Sequence, residues 1–450
     1  MRGLLLFTVF FSLLPLIFAR GPFYGILMWF WLSLMNPQLV IWDNIFASIP
    51  YDLLVALATF LSLALSSREP KLPPVDKTTV LLVILATWIT ITSLLGIAEP
   101  AIIYQKWNMT EKMLLMTLVA YTLTTTRQRI DQLIIVCAFS IAFWGIKGGL
   151  WSLLLSGGGA RVYGPNGSMF GDNNDLGFVL TFMMPLLFYI RSRCTRPELR
   201  WLMLALIGLT FLGDVFTYSR GALVALLAMG AMLWWRSQQK ILMTGIMIVA
   251  ALAVVDFAPP EWFERMDTIS NYQQDGSAEG RILMWTRAWA LVERHPITGG
   301  GFHWSYDPAA ANYALAGSGL PPFEKPRAPH SIWFEMLGDQ GFVGLAIFIA
   351  ILASMAVDAR WLVRRTRGNP DLAWANNLGR MMQVSLIAYC AAGTFLTQAM
   401  YDGFYALVII TAATRRVVAA ELRSRDAVAD SQRPLIVSPA PRELHPQPSG

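Results

Sequence analysis

Long apolar runs follow one another along almost the whole chain, and short polar segments separate them. A helix that crosses a membrane needs about 20 mostly apolar residues, and most of the runs approach this length. The pattern therefore predicts an all-α polytopic membrane protein with about 12 transmembrane helices. The runs cover residues 3–19, 22–35, 50–66, 78–96, 112–125, 131–155, 175–190, 201–217, 221–235, 241–257, 332–357, 382–398 and 403–414.

The composition excludes an ordinary soluble protein. Hydrophobic residues make up 55% of the 450-residue chain, charged residues make up 14%, and the mean hydropathy is +0.49. Soluble proteins contain about 25% charged residues. The net charge of +6 lies in short loops between apolar runs, so it does not indicate nucleic acid as a partner. Cys137, Cys194 and Cys390 form no CxxC motif, and neither a disulfide framework nor a zinc site is predicted.

Lysine and arginine are concentrated in alternate loops. By the positive-inside rule, the basic loops face the cytoplasm, which places both chain ends inside and residues 258–331 outside. The first apolar run resembles a signal peptide, but a second run begins at Pro22 and favours a retained anchor. The basic positions are Arg68, Lys71, Lys77, Arg127, Arg129, Arg191, Arg193, Arg196, Arg200, Arg236, Lys240, Arg360, Arg364, Arg365, Arg367, Arg380, Arg415, Arg416, Arg423 and Arg425.

This topology divides the chain into four parts. Residues 1–257 hold transmembrane helices 1 to about 10, and 258–331 form an outward loop with amphipathic helices. Residues 332–425 hold the C-terminal transmembrane helices, and 426–450 form a disordered, proline-rich cytoplasmic tail.

One amphipathic helix is predicted inside the outward loop. Ile282, Trp285, Trp289 and Val292 recur at helical spacing, and His295-Pro296 ends the helix before the flexible turn Gly299-Gly300-Gly301.

Three of the four histidines lie in the outward loop, and His330 is the strongest candidate for proton transfer. It opens an apolar run within Pro329-His330-Ser331, so its imidazole lies at the outer membrane boundary. A near-neutral pKa suits general base catalysis, although an interfacial or helix-capping histidine would have the same sequence pattern. His295 precedes a proline and is better explained as structural. His303 lies between the catalytic and the structural interpretation.

Isolated arginines mark the outward side. Arg220 lies in the short turn Thr217-Tyr218-Ser219-Arg220-Gly221, against the positive-inside trend, while Arg281 begins the loop helix and Arg161 lies in an earlier outward loop. A guanidinium binds phosphate oxygens in a bidentate manner and stays charged. These arginines therefore suit a diphosphate, and the alternative is contact with lipid headgroups or a carboxylate.

Other polar residues interrupt the apolar runs. Lys147 and Asp214 could pair with each other or line an ion path. Glu335 and Asp339 lie one helical turn apart on the face of Ser331, and Asp402 occupies the last outward turn. The polar loop Gly164–Asp175 lacks the order of an EF-hand, so Asn174 within it is better interpreted as a sugar-binding amide than as a metal ligand.

Taken in order, several motifs resemble the O-antigen ligase/polymerase superfamily. They are Phe170-Gly171-Asp172-Asn173-Asn174, Tyr218-Ser219-Arg220-Gly221, Gly280-Arg281 with Trp285, His295-Pro296 with Gly299-Gly300-Gly301, and Pro329-His330-Ser331. The resemblance covers about residues 160–410, and the N-terminal region is also similar to the exosortase-associated O-glycosylation ligases.

The resemblance implies a GT-C-type glycosyltransferase bundle with one long periplasmic loop. Such an enzyme transfers a glycan from undecaprenyl diphosphate to lipid A–core without a metal or other cofactor. It would lie among the lipids of the bacterial inner membrane, with its active site facing the periplasm and no nucleic-acid partner.

By motif, the family's catalytic histidine corresponds to His330 and its diphosphate-binding arginines to Arg220 and Arg281. We expect Arg161 to assist at the diphosphate, and Asn174, His303 and Asp402 are candidate substrate-binding residues.

Two other functions remain open. An O-antigen polymerase or a protein O-glycosylation ligase of the same superfamily would share the donor chemistry and differ in the acceptor. A polysaccharide or lipid transporter is a different class, motivated by the many spans and by Lys147 and Asp214. It predicts polar residues along the membrane midplane and an inverted repeat, whereas the polar candidates gather at the outward side.

Overall fold

The apolar runs fold into helices throughout the computed structural model, which describes residues 2–41, 44–237, 239–267 and 276–431. No β-strand occurs among these residues. The helices are α1 (Arg2–Leu13), α2 (Leu16–Ala19), α3 (Phe23–Met35), α4 (Asn44–Ala47), α5 (Tyr51–Leu65), α6 (Lys77–Leu94), α7 (Pro100–Leu123), α8 (Arg127–Trp151), α9 (Asn173–Arg193), α10 (Pro197–Val215), α11 (Arg220–Arg236), α12 (Lys240–Phe257), α13 (Pro260–Asp267), α14 (Gly276–Arg294), α15 (Pro308–Ala314), α16 (Ile332–Arg365), α17 (Ala373–Gly393) and α18 (Asp402–Ser431).

Within the described residues, 8 helical segments are long and apolar enough to cross a membrane. This finding confirms an all-α polytopic membrane protein, while the number of twelve spans stays a prediction. The shorter helix α3 is apolar too, and α7 is long but carries several charges.

Helices α7 and α18 extend beyond their apolar runs. Helix α7 begins at Pro100, inside the predicted loop 97–111, because proline is well suited to the first position of a helix. Helix α18 continues through Ser431, so residues 426–431 of the predicted tail are helical; the remainder of that tail, 432–450, lies outside the described residues.

Helices α9 and α17 form the centre of the bundle. Helix α9 packs against α8, α10, α11 and α17, and α17 also packs against α16. Side-chain caps fix several helix starts: Asp172 accepts the Asn174 N–H at the start of α9, and Ser219 accepts the Ala222 N–H at the start of α11. The bundle end that carries residues 258–331 is called the loop end below, and the opposite end, with most arginines, is called the basic end.

Helix α14 confirms the predicted amphipathic helix, but its buried face differs from the predicted one. Of the predicted residues, Val292 is fully buried, but Ile282 and Trp289 are 48% and 49% exposed. Met284, Ala288 and Leu291 are fully buried instead. The difference arises because α14 packs against α16 and against Trp304 and Phe323 of its own loop. Apolar spacing predicted the helix, and its packing partners selected the face.

A kink in α16 receives the glycine turn that follows α14. Gly341 has φ 66° and ψ −172°, which interrupts the helical hydrogen bonds. The N–H groups of Gly300 and Gly301 donate to the carbonyls of Gly338 and Asp339, at 2.8 and 2.9 Å. The turn thus satisfies backbone acceptors near the kink and fixes the outward loop against α16.

Candidate functional site

His330 lies immediately before α16 in a left-handed backbone conformation, with φ 48°. Its N–H donates to Thr397 Oγ1 at 2.8 Å. The carbonyl of Pro329 accepts the Trp285 indole N–H at 2.9 Å, and the carbonyl of Ser331 accepts the Glu335 N–H at 2.7 Å. This conformation is unfavourable for a residue with a Cβ atom, so these three hydrogen bonds hold the histidine backbone in place.

Arg281 and Arg327 contribute positive charge around His330, and Asp172 contributes a negative charge. Burial is the main cause that lowers the pKa of His330 below its ordinary value, and the two guanidiniums lower it further while Asp172 opposes them. The imidazole is therefore neutral near pH 7 and can accept a proton.

Helix α14 positions Arg281 in this cluster. Trp285, one helical turn after Arg281, stacks on Phe334 of α16 with ring centroids 5.2 Å apart and an interplanar angle of 6°. The guanidinium of Arg327 lies beside Gly280, where a Cβ atom would be 2.6 Å from Nη2. Packing of α14 against the start of α16 thus brings both arginines to the histidine.

The start of α9 contributes Asp172 and connects to the α10–α11 turn. Asn173, which is 5% exposed, donates from its side chain to the carbonyl of Thr217 at 2.6 Å. Asn174 donates its side-chain N–H to Asp172 Oδ1 at 2.9 Å. The predicted substrate residue Asn174 therefore orients the carboxylate that faces His330.

Residues 394–401 connect these parts of the loop end. The predicted apolar run 382–398 suggested a continuing span, but α17 ends at Gly393 and the chain becomes irregular. Thr397 holds His330, Gln398 donates to the Met169 carbonyl at 2.5 Å, and the Ala399 N–H donates to Glu335 Oε2 at 2.8 Å. We call residues 394–401 the connecting segment.

Two predicted arginines lie on different sides of the α10–α11 turn. Arg220 starts α11, and the adjacent Gly221 packs beside Phe395 of the connecting segment. Arg161 instead lies over the Tyr218 ring, 5.8 Å from its centroid, and lines a cavity of about 260 Å³ with Lys147. Arg220 thus starts a helix beside the connecting segment, whereas Arg161 lines a separate cavity.

His303 faces buried carboxyl groups of α16. Its backbone N–H donates to the Asp339 carboxylate, and its ring stacks on Tyr306 with centroids 4.4 Å apart. Burial, with a smaller contribution from Lys106, lowers the pKa of His303 to about 4. Glu335 and Asp339 are 3% and 5% exposed, so both lie inside the bundle.

Asp402 lines a cavity of about 660 Å³ between α3, α5 and α7. It accepts a hydrogen bond from Ser33, and Asp52 lies on the same cavity wall. Apolar side chains including Leu57 and Phe60 line the remainder. The connecting segment separates this cavity from His330, because Thr397 contacts the histidine and Tyr401 lines the cavity.

The sequence interpretation missed Arg327, Asp172 and Thr397. Arg327 stands three positions before His330, which was a usable signal in the chain. Asp172 and Thr397 are far from His330 in sequence, and only tertiary packing brings them near it.

Lys147 and Asp214 do not form an ion pair in the described part of the chain. Asp214 accepts from Thr181 Oγ1 at 2.7 Å, and the Lys147 ammonium lies 4.7 Å from the Trp144 ring centroid. Among the described residues, no group of three or more His, Cys, Asp or Glu side chains could hold a metal ion.

Two family models match the chain. Residues 201–349 match a family model described as O-antigen ligase, and residues 1–195 match a model described as a family of unknown function. No curated protein sequence matches the chain. The first match spans Arg220, Arg281 and His330. This match supports the O-antigen ligase superfamily of membrane enzymes for residues 201–349.

Proposed function

We propose that the protein is an O-antigen ligase of the bacterial inner membrane, with its active site facing the periplasm. It transfers a glycan from undecaprenyl diphosphate to a sugar hydroxyl of lipid A–core. The observation that carries this proposal is His330 at the start of α16, where burial and the charges of Arg281 and Arg327 lower the pKa of its imidazole.

His330 accepts the proton of the acceptor hydroxyl as that oxygen attacks the anomeric carbon. The new carbon–oxygen bond forms while the bond to the diphosphate breaks, and the leaving diphosphate takes the bonding electron pair. This direct displacement inverts the anomeric centre. Fixed guanidinium charge stabilises the negative charge on the departing diphosphate, so the reaction needs no metal ion.

Arg281 and Arg220 bind the diphosphate, and we add Arg327 to this set because its charge also acts on His330. Arg281 and Arg327 both act electrostatically on His330, and Arg220 starts a helix beside the connecting segment. Arg161, which lines a separate cavity, stays a proposed diphosphate-binding residue, and His303 stays a proposed substrate-binding residue. Because His330 is neutral, it does not compete with the arginines for the donor.

The cavity at Asp402 suits the lipid part of a substrate. Leu53 and Leu57 on its wall are 52% and 57% exposed, which opens the cavity towards the membrane, and polar groups including Asp402 lie at one end. A long apolar chain would bury surface there while its polar head remained at the loop end.

Glycan transfer tests the proposal directly. Synthetic undecaprenyl-diphosphate oligosaccharide and purified lipid A–core are incubated with the purified protein in EDTA, and products are separated by gel electrophoresis. We expect a ladder of extended lipopolysaccharide, loss of at least about 100-fold in rate for His330→Ala, and near-normal rate for His295→Ala, which removes a loop histidine outside the cluster.

Three results would contradict the ligase assignment. Full activity of a folded His330→Ala protein would exclude His330 as the base. Glycan lengthening on the lipid donor, or glycan on a peptide Ser or Thr, would assign the chain to a polymerase or a protein O-glycosylation ligase. Donor movement across proteoliposomes without any transfer would favour the transporter.

A further inference from the structure

A second charged cavity lies at the basic end of the bundle, away from the proposed glycan-transfer site. It has a volume of about 400 Å³, and helices α6, α7, α16 and α18 contribute its walls. Its charged residues are Lys77, Arg415, Arg416 and Arg423, opposed by Asp76 and Asp358. The cavity thus carries an excess of two positive charges.

The two carboxylates already have partners within the protein. Asp358, whose side chain is 3% exposed, forms ion pairs with Lys77, at 2.6 Å, and with Arg415. Asp76 caps α6 by accepting the N–H groups of Thr78 and Thr79, at 3.0 Å each. Asp76 also accepts a hydrogen bond from the Tyr121 hydroxyl. Among the described residues, neither carboxylate forms an ion pair with Arg416 or Arg423.

Arg416 and Arg423 supply the remaining charge on one face of α18. Arg416 uses Nη2 to donate to the carbonyls of Tyr121 and Thr124, at 3.0 and 2.9 Å, and its guanidinium covers the Tyr121 ring. Arg423 follows seven residues later, on the same helix face, and is exposed. Both arginines line the cavity.

The position along α18 matches the headgroups of the cytoplasmic leaflet. A helix rises about 1.5 Å per residue, so Arg416 and Arg423 lie about 20 and about 30 Å from Asp402 at the loop end. The hydrocarbon core of a bilayer is about 30 Å thick. Arg423 therefore lies at the depth of the phosphate and glycerol groups, on the side that the positive-inside rule assigns to the cytoplasm. Arg416 lies about 10 Å deeper along the helix, and a long arginine side chain can extend from such a depth towards the headgroups.

We propose that this cavity binds the anionic headgroup of a phospholipid from the cytoplasmic leaflet, with the phosphate oxygens on Arg416 and Arg423. Guanidinium groups suit phosphate oxygens because they offer paired N–H donors in one plane. Basic pockets between transmembrane helices at the cytoplasmic side bind lipid headgroups, and this arrangement of charges fits such a site. Bound lipid would join α7, α16 and α18 at the basic end.

Lipid binding to the purified full chain in a neutral detergent tests this site. Native mass spectrometry follows retention of phosphatidylglycerol and of phosphatidylcholine with the same acyl chains, and thermal unfolding is measured in parallel. We expect selective retention of phosphatidylglycerol together with a rise in the unfolding midpoint. Equal retention of both lipids would overturn the proposal.

Charge-neutralising variants then locate the binding. Arg423→Gln leaves the ion pairs of Asp358 and the Arg416 bonds intact, so the protein should fold. We expect its apparent Kd for phosphatidylglycerol to rise about fivefold, the contribution of one basic residue near an anionic lipid. Arg364→Gln is the matched control, because Arg364 is an exposed arginine at the same end and does not line the cavity.

Two further outcomes would contradict the proposal. Equal weakening by Arg423→Gln and Arg364→Gln would indicate diffuse attraction to the basic surface. If millimolar inorganic phosphate gives the same thermal shift and no lipid is retained, the cavity binds free phosphate and not a lipid. The proposal is supported if phosphate raises the unfolding midpoint of the wild type but not of Arg423→Gln, and the wild type still retains lipid.

Discussion

The indole N–H of Trp285 holds the residue before His330, and its removal should impair catalysis more than folding. Trp285→Phe deletes the 2.9 Å hydrogen bond to the buried Pro329 carbonyl while an aromatic ring still stacks on Phe334. The net contribution of such a bond is about 1 kcal/mol. The left-handed conformation of His330, with φ 48°, costs about 1–2 kcal/mol.

These two energies are similar, so loss of the bond removes much of what opposes relaxation of the His330 backbone. A difference of about 1.4 kcal/mol is tenfold in rate. We therefore expect kcat to fall about tenfold, with little change in KM for the donor, because the arginines remain. The unfolding midpoint should fall by only a few degrees.

Glycan-transfer kinetics at saturating donor, together with thermal unfolding in the same detergent, measure both effects. Trp289→Phe is the matched control: this side chain lies one turn further along α14, is 49% exposed and donates to Glu293 at 2.9 Å. Wild-type kcat in Trp285→Phe, or equal losses in both variants, would refute the idea that Trp285 positions His330. A loss of kcat that follows only the loss of folded protein would refute it as well.

Three other changes test the site and its support. Arg281→Gln should raise the donor KM about tenfold, the loss of a charged phosphate contact worth about 1.5 kcal/mol, and unchanged KM in steady-state kinetics would remove Arg281 from the diphosphate site. The acid limb of the kcat/KM profile between about pH 5 and 8 should have its midpoint below the ordinary histidine value, because the base must be deprotonated and the pKa of His330 is lowered. In Arg281→Gln this midpoint should move to higher pH, since one of the charges that lower the pKa is lost; a midpoint that does not move would contradict the assignment of His330 as the titrating base. Gly341→Ala should lower the thermal midpoint far more than Gly368→Ala. Both glycines have a positive φ, but only Gly341 is in contact with the Ile297 carbonyl. Equal losses would mean that the backbone conformation alone sets the cost.

The sequence predicted the membrane helices well because apolar length is a local property. Runs of apolar residues became α8, α9, α12 and α16, and local caps such as Asp172 and Ser219 are readable from the chain. Boundaries failed where polar residues lie inside a helix, as in α7, or where an apolar stretch leaves the helix, as at Thr394.

The site was predicted in part. His330, Arg281 and Arg220 each stood out as a charge or imidazole at the edge of an apolar run, and His330 and Arg281 interact electrostatically. Arg161 shares the outward side but lines a different cavity. Residue type and side of the membrane do not determine which residues share a pocket, because the helix ends on one side of the membrane surround several cavities.

By itself the sequence determined a helical membrane protein, the number and order of its apolar runs, and residue types that suit a phosphorylated lipid substrate. Those properties follow from hydrophobicity and charge, which each residue carries locally. Only the tertiary structure decided that Asp172, Arg327 and Thr397 surround His330, and which face of α14 is buried. These outcomes depend on contacts between segments far apart in the chain, where packing and buried hydrogen bonds select one arrangement among many that the local pattern allows.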